Sequence, residues 1–298
     1  MALPTYATPV QRTYYYAYLF FCGVVFFFLV APLIAIVPIS FSKSPFMIFT
    51  EGMLAWPPEP EAWSLRWYKN MVGNCSADVV SSTVPCSTKW MTGTVNSFFI
   101  GITATVIATA LGTLAALGLS RPHMPFKGII MAILISPMIV PLIITAAGMF
   151  FFYARVNLVY TFTGVILAHV ALATPFVVIT VTATLVGFDM NMVKAAQSLG
   201  AKPTRTFFKV IMPLILPGII SGALFAFITS FDEVVIVMFM ASLDQLTIPK
   251  QMWAGIRQEI SPVILCMATC LVVLSIFLLT TVELLRRRSE KLRGITAR

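Results

Sequence analysis

Residues 156–188 read VNLVYTFTGVILAHVALATPFVVITVTATLVGF, 33 consecutive positions without an Asp, Glu, Lys or Arg. As an α-helix rising ~1.5 Å per residue this run covers ~50 Å, well beyond the ~30 Å of a bilayer's hydrocarbon core. Working outward, five more charge-free runs occupy 13–42, 90–120, 128–154, 210–231 and 260–282, with 30, 31, 27, 22 and 23 residues. All exceed the ~20 residues that a spanning helix needs, and none has the form of the ~10-residue alternating strands of a membrane barrel. Because hydrocarbon satisfies no backbone amide or carbonyl, the expected fold is all-α, a polytopic membrane protein with six transmembrane helices. The composition agrees: of 298 residues 59% are hydrophobic and 10% charged, with a mean hydropathy of +0.93. Soluble domains carry about 25% charged residues, so an ordinary soluble domain is excluded.

The net charge is +9, yet the placement of the cations argues for topology rather than nucleic-acid binding. With the N-terminus inside, the cytoplasmic segments hold 13 of the 20 Lys and Arg residues, among them Arg12, Arg121, Lys194, Lys202 and the Arg286–Arg288 run. The longer outer segments hold the other 7, so the positive-inside rule puts both termini in the cytoplasm. Arg286–Arg288 reads as a stop-transfer anchor at the start of a basic tail, 286–298. The first run is longer than the 7–15 residues of a signal-peptide core and reads as a retained helix, making 1–42 an N-terminus plus first span. An outer segment, 43–89, separates it from a core of five helices in 90–285.

That outer segment is rich in Pro, Trp and Ser and carries Cys75 and Cys86. An oxidising compartment permits a disulfide between them, which on the chain-entropy model would contribute up to ~3 kcal/mol. Cys22, Cys266 and Cys270 fall in membrane runs and read as apolar packing residues. Trp56, Trp63, Trp67, Tyr68 and Trp90 gather near the ends of the outer segment, where aromatic rings form interfacial belts.

Between the fourth and fifth runs the chain reads DMNMVKAAQSLGAKPTRTFFKVIMPLILP, residues 189–217. Met192, Ala195, Ala196 and Leu199 recur at i, i+3, i+4 and i+7, which predicts a short helix with one apolar face, while Lys194, Gln197 and Ser198 point elsewhere. Gly200 supplies a left-handed stop, and Lys202-Pro203 prevents continuation. Such a helix is shaped to dock in a groove on another protein.

The spacing Ala195-Ala196, Gly200, Phe207, Val210, Met212-Pro213 and Pro217 resembles the EAA loop of permease subunits of ATP-binding-cassette importers, whose pattern is Glu-Ala-Ala, Gly, Phe, Ile-x-Leu-Pro and Pro. Phe231-Asp232-Glu233-Val234-Val235 and the stretch from Ile248 to Pro262 are similar to the spermidine/putrescine branch. The resemblance covers the chain from about residue 90 onward. It implies a type I importer transmembrane fold in a bacterial inner membrane and a cargo of polyamines or a related cationic amine or opine. It also implies a second permease, a cytoplasmic ATP-binding subunit dimer that carries the ATP and Mg²⁺, and a periplasmic substrate-binding protein. On this reading Lys194, Ala195, Ala196, Ser198, Leu199, Gly200, Ala201, Phe207 and Pro213, within a coupling segment 189–209, contact the ATPase. Lys194 departs from the pattern, because the family has a glutamate there.

The residues themselves agree with that division of labour. The chain has no Gly-x-x-x-x-Gly-Lys-Ser/Thr phosphate loop, so no cofactor is expected on this chain. Its two histidines, His123 and His169, lack ligand partners at metal-binding spacing, so neither a metal nor a catalytic residue is expected. Asp232 and Glu233 form the one acidic pair inside an apolar stretch. A fifth helix beginning near Pro213 would carry Asp232 ~28 Å along, in the outer part of the membrane. Acids at such depth are functional candidates, here either lining the path of a cationic amine, with His169 as a further lining candidate, or capped by a partner subunit. An ion-driven secondary transporter or channel would instead show paired broken helices in inverted repeats and a relay of ionisable groups.

Overall fold

The structure, a computed structural model, describes residues 8–74, 88–121, 123–186, 191–258 and 260–292. Cys75 and Cys86 lie outside the described residues, as do positions 189 and 190 of the 189–209 segment. In chain order the helices are α1 (Pro9–Ser40), α2 (Glu51–Leu54), a 3₁₀ turn (Pro60–Ala62), α3 (Arg66–Met71), α4 (Lys89–Leu119), α5 (Lys127–Ile139) and α6 (Leu142–Arg155). They continue with α7 (Phe162–Val186), α8 (Asn191–Ser198), α9 (Pro203–Thr206), α10 (Met212–Phe231), α11 (Val235–Met240), α12 (Ile248–Gln258) and α13 (Val263–Leu292). Among the described residues the only strand-like pairing is an isolated bridge, Ser42 with Trp63, so the protein is all-α.

Among the described residues five helical stretches are long and apolar enough to cross a membrane: Pro9–Ser40, Lys89–Leu119, Phe162–Val186, Pro203–Phe231 and Val263–Thr281. The sixth expected span is not one helix. α5 and α6 meet at a 103° bend, because Pro141 follows extended Val140 and has no amide hydrogen with which to continue α5. α13 runs on to Leu292, into the basic segment 286–298.

The chain divides into two compact units, Met1–Ser87 with Glu259–Leu278 and Thr88–Gln258 with Leu279–Arg298. In the first, α1 starts with a capping box in which the Thr8 hydroxyl accepts from the Gln11 amide and the Gln11 side chain accepts from Thr8. Its far end is tied to the outer segment by Trp67, fully buried, whose indole N–H donates to the Ser42 carbonyl at 2.9 Å. Tyr68 adds a 2.7 Å hydroxyl contact to Ser40, and the Cys266 thiol donates to the Ser40 carbonyl at 3.3 Å. Trp67 and Trp90 are therefore packing residues rather than members of an exposed interfacial belt, each being buried; Trp56 is exposed.

The second unit is built on α7, whose apolar circumference leaves it two-thirds enclosed. α4 and α10 pack on it. The α4 face is made of small side chains, Gly93, Ser97, Ala104, Ala108, Gly112 and Ala116, all buried. Such rows let helix backbones approach closely where lipid offers no hydrophobic drive for association. On α10, Gly218 and Gly222 do the same: a Cβ at Gly222 would lie 3.0 Å from the Val177 Cα, and one at Gly218 would collide with Thr184. Gly222→Leu is expected to force α10 off α7 and to cost ~1–3 kcal/mol of stability. Gly23→Leu on α1, where a Cβ meets nothing within 4 Å, serves as the neutral comparison. Equal thermal unfolding midpoints for the two variants in detergent would contradict this packing.

Candidate functional site

Two places carry the chemistry singled out in the sequence, both in the second unit. The first is the segment from α8 to α10. α8 ends at Ser198, and its stop is the expected one: Gly200 has φ +79°. Its N–H donates to Gln197, and the Ala201 N–H reaches back to the Ala196 carbonyl. That paired 5→2 and 6→1 closure is a Schellman motif, which needs the left-handed conformation that glycine adopts without strain. Lys194, Ala195, Ser198, Leu199 and Gly200 are exposed, while Ala196, Ala201 and Phe207 are half-buried. Leu199 is 88% and Met192 50% exposed, so the ends of the apolar stripe of α8 are uncovered among the described residues.

Pro203 begins the next helix instead of merely ending the last, because proline's missing N–H costs nothing at a first helical turn. α9 passes into a π-helical turn, Phe207–Ile211, and then into α10. The turn sits directly before Pro213, where a missing amide and the ring oblige the backbone to widen. Pro213 is exposed. The whole stretch 203–231 is one helical rod, and the fifth span therefore starts ten residues earlier than Pro213.

The second place is the break at 232. Asp232 and Glu233 do not lie inside a helix: α10 stops at Phe231, and the apolar residues beyond form a separate helix, α11. The two acids take different roles. Asp232 is exposed at the C-terminal cap of α10. Glu233 is buried at 7% exposure and accepts the Ile236 amide at 2.9 Å. Glu233 thus caps an amide of its own chain. A carboxylate at a helix N-terminus satisfies open N–H groups and complements the helix dipole.

The opposite end of α11 is held by Lys250 of α12, whose ammonium donates to the carbonyls of Val237 at 3.3 Å and Ala241 at 2.9 Å. Burial pulls the Lys250 pKa below the usual lysine range. The Met240 carbonyl accepts from the Tyr160 amide at 2.9 Å. The loop after α11 is strapped to α4: the Asn96 amide donates to Asp244 and Leu246 carbonyls at 2.8 and 2.9 Å, and the Ser97 hydroxyl accepts from the Ile248 amide at 2.8 Å. Gln245, buried, closes the loop on Ser242. Asn96, Ser97 and Gln245 are not singled out by the sequence reading, although the polar Asn96-Ser97 pair inside a charge-free run is an available signal.

His169 is 1% exposed and shares a 2.8 Å hydrogen bond between its Nδ1 and the Ser230 hydroxyl. It joins α7 to α10 two residues before Asp232, and its Nε2 meets no partner among the described residues. Beside the break, the Phe231 ring centre lies 5.2 Å from that of Phe98, edge-on, and 5.3 Å from that of Phe227, tilted. All three rings are half-buried; Phe231 belongs to the stretch already quoted, while Phe98 and Phe227 carry no local signal that would set them apart from the other phenylalanines of apolar runs. Among the described residues no three His, Cys, Asp or Glu side chains are grouped to hold a metal.

Residues 108–291 match the family of binding-protein-dependent transport system inner membrane components. The chain belongs to that family. It is 28% identical over 270 residues, 91% of this chain and 96% of the relative, to the spermidine/putrescine transport system permease protein PotC of Haemophilus influenzae. With the putrescine transport system permease protein PotI of Escherichia coli K12 it shares 29% identity over 82% of this chain and 81% of the relative. In fold it is similar to a chain of a bacterial ABC transporter that imports the acidic polysaccharide alginate, with TM-score 0.68, 15% identity and coverage of 96% and 99% of the two chains. The permease family and the apolar helices together make it a multi-pass inner-membrane transport component.

The capping geometry makes a sharp prediction. Glu233→Gln retains an acceptor oxygen, and so should keep the unfolding midpoint and transport near the parent level, while Glu233→Ala should cost about 0.5–2 kcal/mol. Equal loss of transport in both variants, with stability unchanged, would assign Glu233 to the translocation path instead.

Proposed function

We propose that this chain is the permease subunit of an ATP-binding-cassette importer of polyamines or closely related cationic amines, and that it forms half of the translocation pathway. The observation that carries the cargo class is the match along 91% of the chain to a relative named for spermidine and putrescine transport. The partners are a second permease, a dimeric ATP-binding subunit that holds ATP and Mg²⁺, and an external substrate-binding protein that delivers cargo. This chain contributes no catalytic residue, and both of its termini face the cytoplasm.

The mechanism follows from how helices transmit force. α8 presents Met192, Ala195 and Leu199 to a groove on the ATPase, and its Schellman stop at Gly200 turns the chain directly into the 203–231 rod. Closure of the ATPase dimer then moves α8, and the rod carries that movement to the break at Asp232. Lys194, exposed at the position of the family's glutamate, pairs with an acid on the ATPase surface. At the break, an exposed carboxylate beside the Phe98, Phe227 and Phe231 rings offers an amine both Coulomb attraction and aromatic faces, the two features that suit an ammonium group.

The test is reconstitution of the four-component assembly in vesicles, with binding-protein-stimulated ATP hydrolysis and labelled spermidine uptake measured together. Leu199→Asp should uncouple the system, lowering both readouts by about tenfold or more, as expected when a buried docking anchor is replaced by a charge. Asp232→Asn should lower amine uptake while leaving basal ATP hydrolysis intact. Uptake that persists without the ATPase would overturn the reading in favour of an ion-driven carrier.

A further inference from the structure

The first unit holds a feature that transport of a cationic cargo does not use. At the C-terminal end of α1 an open cleft of about 610 Å³ is lined by Phe41, Lys43, Trp63, Leu65, Arg66 and Lys69 among others. Among the described residues that line it, three side chains are cationic and none is a carboxylate. The Arg66 guanidinium carbon lies 4.6 Å from the ring centre of the buried Trp67, a cation–π contact that restrains it. Its Nε is buried without a hydrogen-bond partner. Lys43 is exposed, and the contacts that the structure gives it are made by its backbone amide, which donates to the Ala62 carbonyl at 3.1 Å. Two cations are thus held open towards a cleft that would be repulsive to an amine and attractive to an anion.

The depth of the cleft identifies the anion. Arg12 and Lys43 bracket the charge-free run 13–42, whose helical part ends at Ser40 and which at ~1.5 Å per residue covers about 42–45 Å. A bilayer with its headgroup layers measures ~40–45 Å. With Arg12 in one headgroup layer, Lys43 and the cleft fall in the other, where the anions are lipid phosphates. The rim agrees with that level, because Trp63 and Leu65 are exposed beside the cations and present an apolar surface to acyl chains. We propose that this cleft binds the phosphodiester of an anionic phospholipid headgroup, with Lys43 and Arg66 on the phosphate and Trp63 and Leu65 against the glycerol and upper acyl chains.

The experiment uses the full chain purified in its native complex, stripped of lipid in detergent and exposed to mixed vesicles of phosphatidylglycerol and phosphatidylcholine, with retained lipid counted by native mass spectrometry. Enrichment of phosphatidylglycerol is expected. Lys43→Gln should reduce it about fivefold, from a contribution near the surface of ~1 kcal/mol per cation. Lys43→Gln with Arg66→Gln should reduce it further. Because Arg66 also packs on Trp67, the Lys43→Gln variant alone keeps the test decisive should the double variant fold poorly. Occupancy unchanged in Lys43→Gln would overturn the proposal. A large excess of inorganic phosphate separates the two sources of the same chemistry: phosphatidylglycerol that survives it supports a lipid site, and its complete displacement overturns one. A Lys43→Gln variant that keeps its lipid but loses affinity for the binding protein would instead show that the cleft receives an acidic protein surface.

Discussion

Backbone amides and carbonyls that find no partner are intolerable next to hydrocarbon, and the architecture of this chain depends on how it meets that constraint at its helix breaks. Between α10 and α12 the chain leaves helical geometry twice within about twenty residues. Side chains meet open groups at these breaks: Glu233 at the start of α11, Lys250 at its end, and Asn96 and Ser97 along the loop that follows. The charges match the dipole of the short helix, negative at its N-terminus and positive at its C-terminus. An acid and a base that look out of place in an apolar sequence are thus what allows six residues of helix to stand alone.

This arrangement is rigid only because the helices on either side are packed backbone to backbone. The small residues of α4 and the glycines of α10 bring both helices against α7, and the His169–Ser230 bond crosses the same interface just before the break. Dispersion at short range and hydrogen bonds between helices do the work that the hydrophobic effect does in a soluble core. The 203–231 rod is therefore continuous from an exposed, uncovered helix to the capped break, which is the geometry that a mechanical coupling between two partners requires.

Much of this was legible in the residues. The charge-free runs specified the all-α membrane class, and the Ala195-Ala196, Gly200, Phe207, Pro213 spacing specified the family to which residues 108–291 belong. Gly200 was legible because a left-handed stop after an amphipathic turn is a local event. The break at 140–141 and the start of the fifth span at Pro203 were not read correctly, since apolar content is the same in a straight helix and in two helices bent at a proline. Trp67 and Trp90 were assigned to a belt because an interfacial and a buried tryptophan have the same neighbours in sequence.

The sequence by itself determined what depends on local chemistry: how many apolar segments exist, which can be helical, where glycine and proline must interrupt them, and what family they belong to. Only the tertiary structure decided what depends on residues distant in the chain. It assigned Glu233 to a cap and left Asp232 exposed, paired Lys250 with the far end of α11, and brought Asn96 within reach of a loop some 150 positions away. The reason is that a polar side chain in an apolar run must find a partner, but its sequence neighbours on a helix point elsewhere. Which partner it finds is set by helix packing, and that packing is set by small residues whose effect appears only when two backbones meet.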